Sequence, residues 1–173
     1  SPAITEGELR TILDVSHEEG VIESEERQMI TNVVDFGDSM AKDVMVPKMD
    51  VGFVSADISY QELFDVYKEL RHTRMPVYSE SRDNVIGIIN VKDLFFYEDA
   101  RDKFDVTTIM REPYFTYEYK KISELFFEMK KESIPMAVVL DEYGATAGIL
   151  TLEDLIEEIV GEIRDEYDTN EED

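Results

Sequence analysis

Cysteine and tryptophan are missing from this chain, and histidine occurs only twice in 173 residues. Without cysteine there is no disulfide, no thiolate zinc site and no thiol nucleophile, a composition that fits a reducing compartment. Basic residues are scarce: 17 Lys and Arg stand against 41 Asp and Glu, for a formal charge of −24. Nucleic-acid binding depends on Lys and Arg set against phosphates, so no nucleic-acid partner is expected. The same balance argues against direct docking on an anionic membrane surface. No run approaches the roughly 18 apolar residues that a membrane span needs, and no signal peptide is visible. Motifs of hydrolases, zinc peptidases and P-loop enzymes are absent, and His17 and His72 lie in dissimilar contexts. No catalytic residue is assigned, and the chain is not expected to be an enzyme. Ser1-Pro2-Ala3 is compatible with an expression scar, in which case the chain is a piece of a longer protein.

What the chain does contain, it contains twice. Gly87-Ile88-Ile89-Asn90-Val91-Lys92-Asp93-Leu94 returns 61 residues later as Gly148-Ile149-Leu150-Thr151-Leu152-Glu153-Asp154-Leu155. Met75-Pro76-Val77 aligns with Met136-Ala137-Val138 at the same offset, Glu62-Leu63-Phe64 with Glu124-Leu125-Phe126 at 62, and Met45 with Met110 at 65. A duplicated unit of about 60 residues implies two similar lobes, with a cleft between equivalent surfaces as the natural place for a ligand. At 43% apolar residues, the chain can bury a core.

Periodicity divides the chain into four parts: a helical lead-in over 1–42, a first unit over 43–104, a second over 105–163, and an acidic tail over 164–173. The lead-in holds two helices, one opened by a capping box at Thr5 and Glu8, the other capped by Ser24, with Gly20 and Gly37 as stops. Each unit reads strand, helix, strand, strand, helix. In the first unit, extended chain at 44–47 is followed by a strand at 51–54. A helix capped by Ser59 follows, then two strands around a polar turn at 79–84, and a short helix from Val91. In the second unit the last helix carries Leu152, Leu155, Ile156, Ile159, Val160 and Ile163 on one side, opposite Glu153, Glu157, Glu158 and Glu162. From Glu153 onward there are eleven acidic residues and one Arg, and the tail is expected to be disordered. The fold class is therefore α/β (α+β), built from two small quasi-equivalent units.

Thr151 and Asp154 sit three apart across the start of that last helix. A helix N-terminus presents free N–H groups and partial positive charge. A carboxylate held there stays ionised and can accept hydrogen bonds from a vicinal diol such as that of a ribose. The same pair can equally serve only to cap its own helix. Glu153, Glu157 and Glu158 offer oxygens to Mg²⁺, but a one-sided Glu run more often just faces solvent, and no metal site is assigned.

The order of elements, with Gly-apolar-apolar-Thr-x-x-Asp at the strand-to-helix junction, resembles the CBS domain, named after cystathionine β-synthase; two in tandem form a Bateman module. A narrower resemblance lies in Asp141-Glu142-Tyr143-Gly144 through Gly148, Thr151-Leu152-Glu153-Asp154 and Glu158-Ile159-Val160-Gly161-Glu162-Ile163. These stretches look like the CorC/hemolysin-C family, bacterial membrane proteins similar to the cyclin-M magnesium transporters. The lead-in agrees with it at Glu19-Gly20-Val21-Ile22 and at residues 43–50. The resemblance implies a cytosolic regulatory module that binds an adenine nucleotide, ATP or AMP, with or without Mg²⁺. It implies a homodimer of CBS pairs, and a covalently linked transmembrane domain that this chain does not include, placing the whole protein at the cytoplasmic face of the membrane. It carries the sugar-binding roles to Thr151 and Asp154 and the phosphate role to Arg74, beside Pro76. Val46 and Pro47 become a backbone and apolar wall for adenine, and Tyr78 is placed either to stack on it or to pack in the core. Lys48 and Arg111 are candidate helpers. In the first unit Asn90 replaces the Thr while Asp93 is retained, implying a weaker or empty secondary site. Two other readings stay open: a ligand-free dimerisation scaffold, and a direct divalent-cation sensor.

Overall fold

A computed structural model describes residues 3–161; Glu162, Ile163 and the acidic tail lie outside the described residues. The lead-in forms α1 (Glu6–Glu18) and α2 (Ser24–Phe36). Thr5 caps α1, its hydroxyl accepting from the Glu8 amide at 3.1 Å. The sequence assigns the cap of α2 to Ser24, but Glu23 occupies that position and no side chain bonds the helix start. Ser24 is already the first helical residue. The extended segment expected from Val44 begins later, because a helical turn, α3 (Ala41–Val44), precedes the short strand β1 (Val46–Pro47).

The first unit continues with β2 (Val54–Ser55), α4 (Tyr60–Leu70), β3 (Arg74–Ser79), β4 (Ser81–Asn90) and α5 (Val91–Phe95). The second has β5 (Phe115–Tyr117), α6 (Ile122–Lys131), β6 (Met136–Leu140), β7 (Thr146–Thr151) and α7 (Leu152–Val160). Ser59 and Glu62 form the reciprocal capping box of α4, at 3.1 and 3.4 Å. The polar segment 79–84 is mostly strand. The chain reverses at Glu80, where φ is +68°, and β4 runs on from Ser81, its first four residues exposed. Their polarity marks solvent exposure, which in a strand looks like turn chemistry from sequence alone.

Each unit contributes one sheet. β2 runs parallel to β3 and β3 antiparallel to β4; β5 runs parallel to β6 and β6 antiparallel to β7. Leu63, Tyr67, Met75, Val77, Ile89 and Leu94 fill the first core. Ile122, Leu125, Met129, Val139, Leu150 and Leu155 fill the second, together with Phe36 of α2. A third cluster, Val85, Ile88, Met136 and Val138, joins the two units. α2 docks on α7, where the Asn32 amide donates to the Ile159 carbonyl at 3.0 Å.

The junction between the units is set by backbone crossing. β1 comes from the segment ahead of the first unit, yet it pairs with β7 of the second, Val46 opposite Ile149 and Pro47 opposite Gly148. A Cβ on Gly148 would collide with the Val46 carbonyl oxygen. The equivalent crossing lies at Arg111, whose backbone exchanges hydrogen bonds with Ile88 at 2.8 and 2.9 Å. There a Cβ on Gly87 would collide with the Met110 side chain. A methionine can swing aside and a paired carbonyl cannot. Gly148→Ala is therefore expected to lower stability by about 1–3 kcal/mol, and Gly87→Ala by less, as read from urea-unfolding midpoints.

Candidate functional site

β7 ends at Thr151 and α7 begins at Leu152, so the strand-to-helix junction falls on the Thr-Leu-Glu-Asp sequence. Thr151 has the extended backbone of an N-cap, and its hydroxyl accepts from the Asp154 amide at 3.1 Å. The Asp154 carboxylate returns the bond through Oδ2 to the Thr151 amide, also at 3.1 Å. The pair therefore does cap its helix. This uses one carboxylate oxygen and leaves Oδ1 without a hydrogen bond to any described residue.

Asp154 lines a hollow of about 460 Å³, together with Val46, Arg74, Met136, Ile149 and Thr151 among others. Four of the expected residues, Thr151, Asp154, Arg74 and Val46, thus line one cavity. Three others do not. Pro47 lies in β1 on the exposed side, and Pro76 is buried within β3. Tyr78 packs edge-on against Phe53, ring centroids 6.3 Å apart. Lys48 also turns away, bonding Asp83 at 2.6 Å and so holding that carboxyl below its ordinary value.

Several cavity residues escaped the sequence reading: Asp50, Val51 and Gly52, His72 and Thr73 beside Arg74, Glu153, Met136 and Ile149. Ile149 was recoverable, because it lies two residues from Thr151 in a strand and shares its face. Met136 was not, since only the register of β6 against β7 brings it opposite Thr151.

Arg74 has no acidic partner within ion-pair distance among the described residues. In a chain of charge −24, an unpaired guanidinium beside a carboxylate-lined hollow is a ready anchor for an anion. The same side chain borders a second cavity of about 610 Å³, lined also by Ile88, Asn90, Arg111, Tyr114 and Lys130. This is the first unit's counterpart. In it, the Tyr114 hydroxyl donates to Glu128 at 2.9 Å, and burial, followed by that bond, raises the phenol above its ordinary value. Lys120 and then Tyr114 hold the Glu128 carboxyl below its ordinary value. Asn90 caps α5, accepting from the Lys92 amide at 2.9 Å, while Asp93 is held by Arg111. Among the described residues no three His, Asp or Glu side chains converge to hold a metal ion, and no helix is long and apolar enough to cross a membrane.

The arrangement of two α/β units has its counterpart among known proteins. A family model described as the CBS domain matches this chain twice, over residues 41–99 and 105–161. The chain belongs to the CBS-domain family. This CBS pair is 40% identical over 168 residues to the UPF0053 protein YugS of Bacillus subtilis, covering 97% of this chain and 39% of that protein. It therefore spans about two fifths of the length of that curated relative. The solved CBS domain of a bacterial CNNM/CorC family Mg²⁺ transporter superposes with a TM-score of 0.87 at 36% identity, covering 94% of this chain and 99% of the other. A structure of such a domain in complex with ATP superposes at 0.77 with 36% identity, covering 80% of this chain and 99% of that one.

The reciprocal cap makes a prediction separate from any ligand. Thr151→Val keeps the shape and removes the acceptor, and is expected to lower stability by about 1 kcal/mol in urea titration.

Proposed function

We propose that this CBS pair is the cytosolic regulatory module of a CorC-like magnesium or cobalt transport or efflux protein, and that it binds an adenine nucleotide, ATP or AMP, in the hollow at the start of α7. The observation that carries the reading is that Asp154, one of whose carboxylate oxygens has no hydrogen bond to a described residue, lines the same cavity as the unpaired Arg74. In this arrangement Asp154 accepts the ribose hydroxyls and Thr151 flanks them. Arg74 takes phosphate, and Val46, Val51, Met136 and Ile149 form the apolar wall for the base. Asp50 and Glu153 also line the cavity, so a polyphosphate arrives best with Mg²⁺ bound to its own oxygens, which reduces repulsion.

The ATP complex of a CBS domain at 36% identity supports the ligand class. The chain spans 39% of the curated relative and a similar solved domain comes from an Mg²⁺ transporter, which together support a membrane domain joined to this module. A homodimer of CBS pairs is part of the proposal. Phe64 and Phe95 beside the first core, and Phe127, Ile156 and Val160 beside the second, are large apolar side chains left exposed, and an interface with a second copy would bury them.

Calorimetric titration with ATP, ADP and AMP, each with and without Mg²⁺, tests the reading. Asp154→Ala is expected to weaken binding by about 1.5–3 kcal/mol, the scale of hydrogen bonds to a charged group. Arg74→Ala is expected to weaken ATP more than adenosine. If Asp154→Ala binds as tightly as the parent, the site is elsewhere. If no adenine nucleotide raises the thermal midpoint at millimolar concentration, the ligand-free scaffold is the better account.

A further inference from the structure

The two units offer the same scaffold for a sugar-binding carboxylate, and the chain at the crossing decides whether that carboxylate is available. Val46 pairs with Ile149 and Arg111 with Ile88. Ile88 and Ile149 are repeat counterparts, as are Met45 and Met110, so Val46 and Arg111 occupy equivalent positions beside the two helix starts. At the second unit, where valine stands, Asp154 Oδ1 has no hydrogen bond to a described residue and Asp154 lines the cavity. At the first, the Arg111 guanidinium takes both Asp93 oxygens, Nη2 to Oδ1 at 3.0 Å and Nε to Oδ2 at 3.3 Å. Asn90 and Arg111 line the first-unit cavity, and Asp93 does not. The space itself is present, larger than that at α7, and Arg74 and Lys130 supply cations within it.

We propose that Arg111 determines the number of nucleotides this module takes: by occupying the Asp93 carboxylate it closes the first-unit site to a ribose diol and leaves one nucleotide site per chain. This rests on the reading of Asp154 as a sugar-binding residue. A bidentate guanidinium satisfies the acceptors that two vicinal hydroxyls would need, so a nucleoside must first break the pair. The Arg111 side chain is 66% exposed and that of Asp93 21%; an ion pair open to water on the arginine side contributes modestly to folding, so its removal is expected to change recognition more than the fold. Asn90 is the second obstacle. Its carbonyl oxygen is spent on the Lys92 amide, and its amide is bulkier than the threonine hydroxyl at the equivalent position.

The test is calorimetric stoichiometry with AMP, on the parent and on the double variant Arg111→Val, Asn90→Thr, which copies the second unit. One site per chain is expected for the parent and two for the variant, with the added site lost when Asp93→Ala is introduced. The same double change placed in an Asp154→Ala chain is expected to restore a single site. Circular dichroism of each variant confirms that it is folded; should the double variant fail this check, Arg111→Val alone is titrated and is expected to show the added site at lower affinity. A parent that takes two nucleotides, or folded variants that gain none while the parent takes one, would overturn the role of Arg111. A parent that binds none, with a variant that binds one at Asp93, would overturn the Asp154 reading and leave the role of Arg111 standing. Absence of binding in both would overturn both.

Discussion

The structure depends on one close approach, the Val46 carbonyl lying over Gly148 with no room for a side chain between them. This contact lets the chain entering the first unit form an edge strand of the second unit's sheet. With its counterpart at Ile88 and Arg111, it ties each half to the other through main-chain hydrogen bonds. The clefts at the helix starts follow from it. Each is walled by its own strand-to-helix junction, by the crossing segment, and by residues of the opposite unit. Arg74 and Met136 border both cavities, so two ligands in this module would not be independent.

Quasi-symmetry then explains why equivalent positions need not do equivalent work. Helix starts, register and glycines are shared, which places Asp93 and Asp154 alike. The crossing segments carry different side chains, and a single substitution along that segment separates an open carboxylate from an occupied one. The strand before each junction differs as well. Arg74 at the start of β3 has Pro135 as its counterpart, so the unit that keeps the open carboxylate draws its unpaired cation from the other unit.

Much of this was legible in the sequence because it is local. The 61-residue repeat, the Ser59–Glu62 box and the Thr-Leu-Glu-Asp junction each lie within a few residues, and the helices and main strands fall where periodicity puts them. The resemblance to CBS pairs drew on the same local motifs. What escaped was non-local or ambiguous. The pairing of β1 with the second sheet depends on a contact about one hundred residues away in sequence, and polar residues at 81–84 read as a turn although they are exposed strand. Lys48 and Arg111 looked alike as phosphate helpers; only the fold shows that each faces an aspartate, Asp83 and Asp93 respectively. Tyr78 was ambiguous between stacking and packing until Phe53 was seen against it.

The path from the cavity to the rest of the molecule is short. α7 begins at the Thr151–Asp154 cap and ends against α2, where Asn32 holds the Ile159 carbonyl. Its nine residues span about 14 Å at the usual helical rise, and a packed helix of that length moves as a unit. Leu155 faces the same core that receives Phe36 from α2, so displacement of α7 cannot be absorbed without repacking where the lead-in docks. The lead-in presents Ile12, Val15, Val21 and Val33 to solvent, an apolar surface suited to a neighbouring domain or subunit. A ligand at the cap would bias that arrangement only through a difference in affinity between positions of α7. On the proposed reading, a nucleotide whose diol bonds to Asp154 would set its phosphate on Arg74 and its base against Val46, both on the opposing unit, so binding would favour the geometry in which the helix start and the crossing segment lie closest.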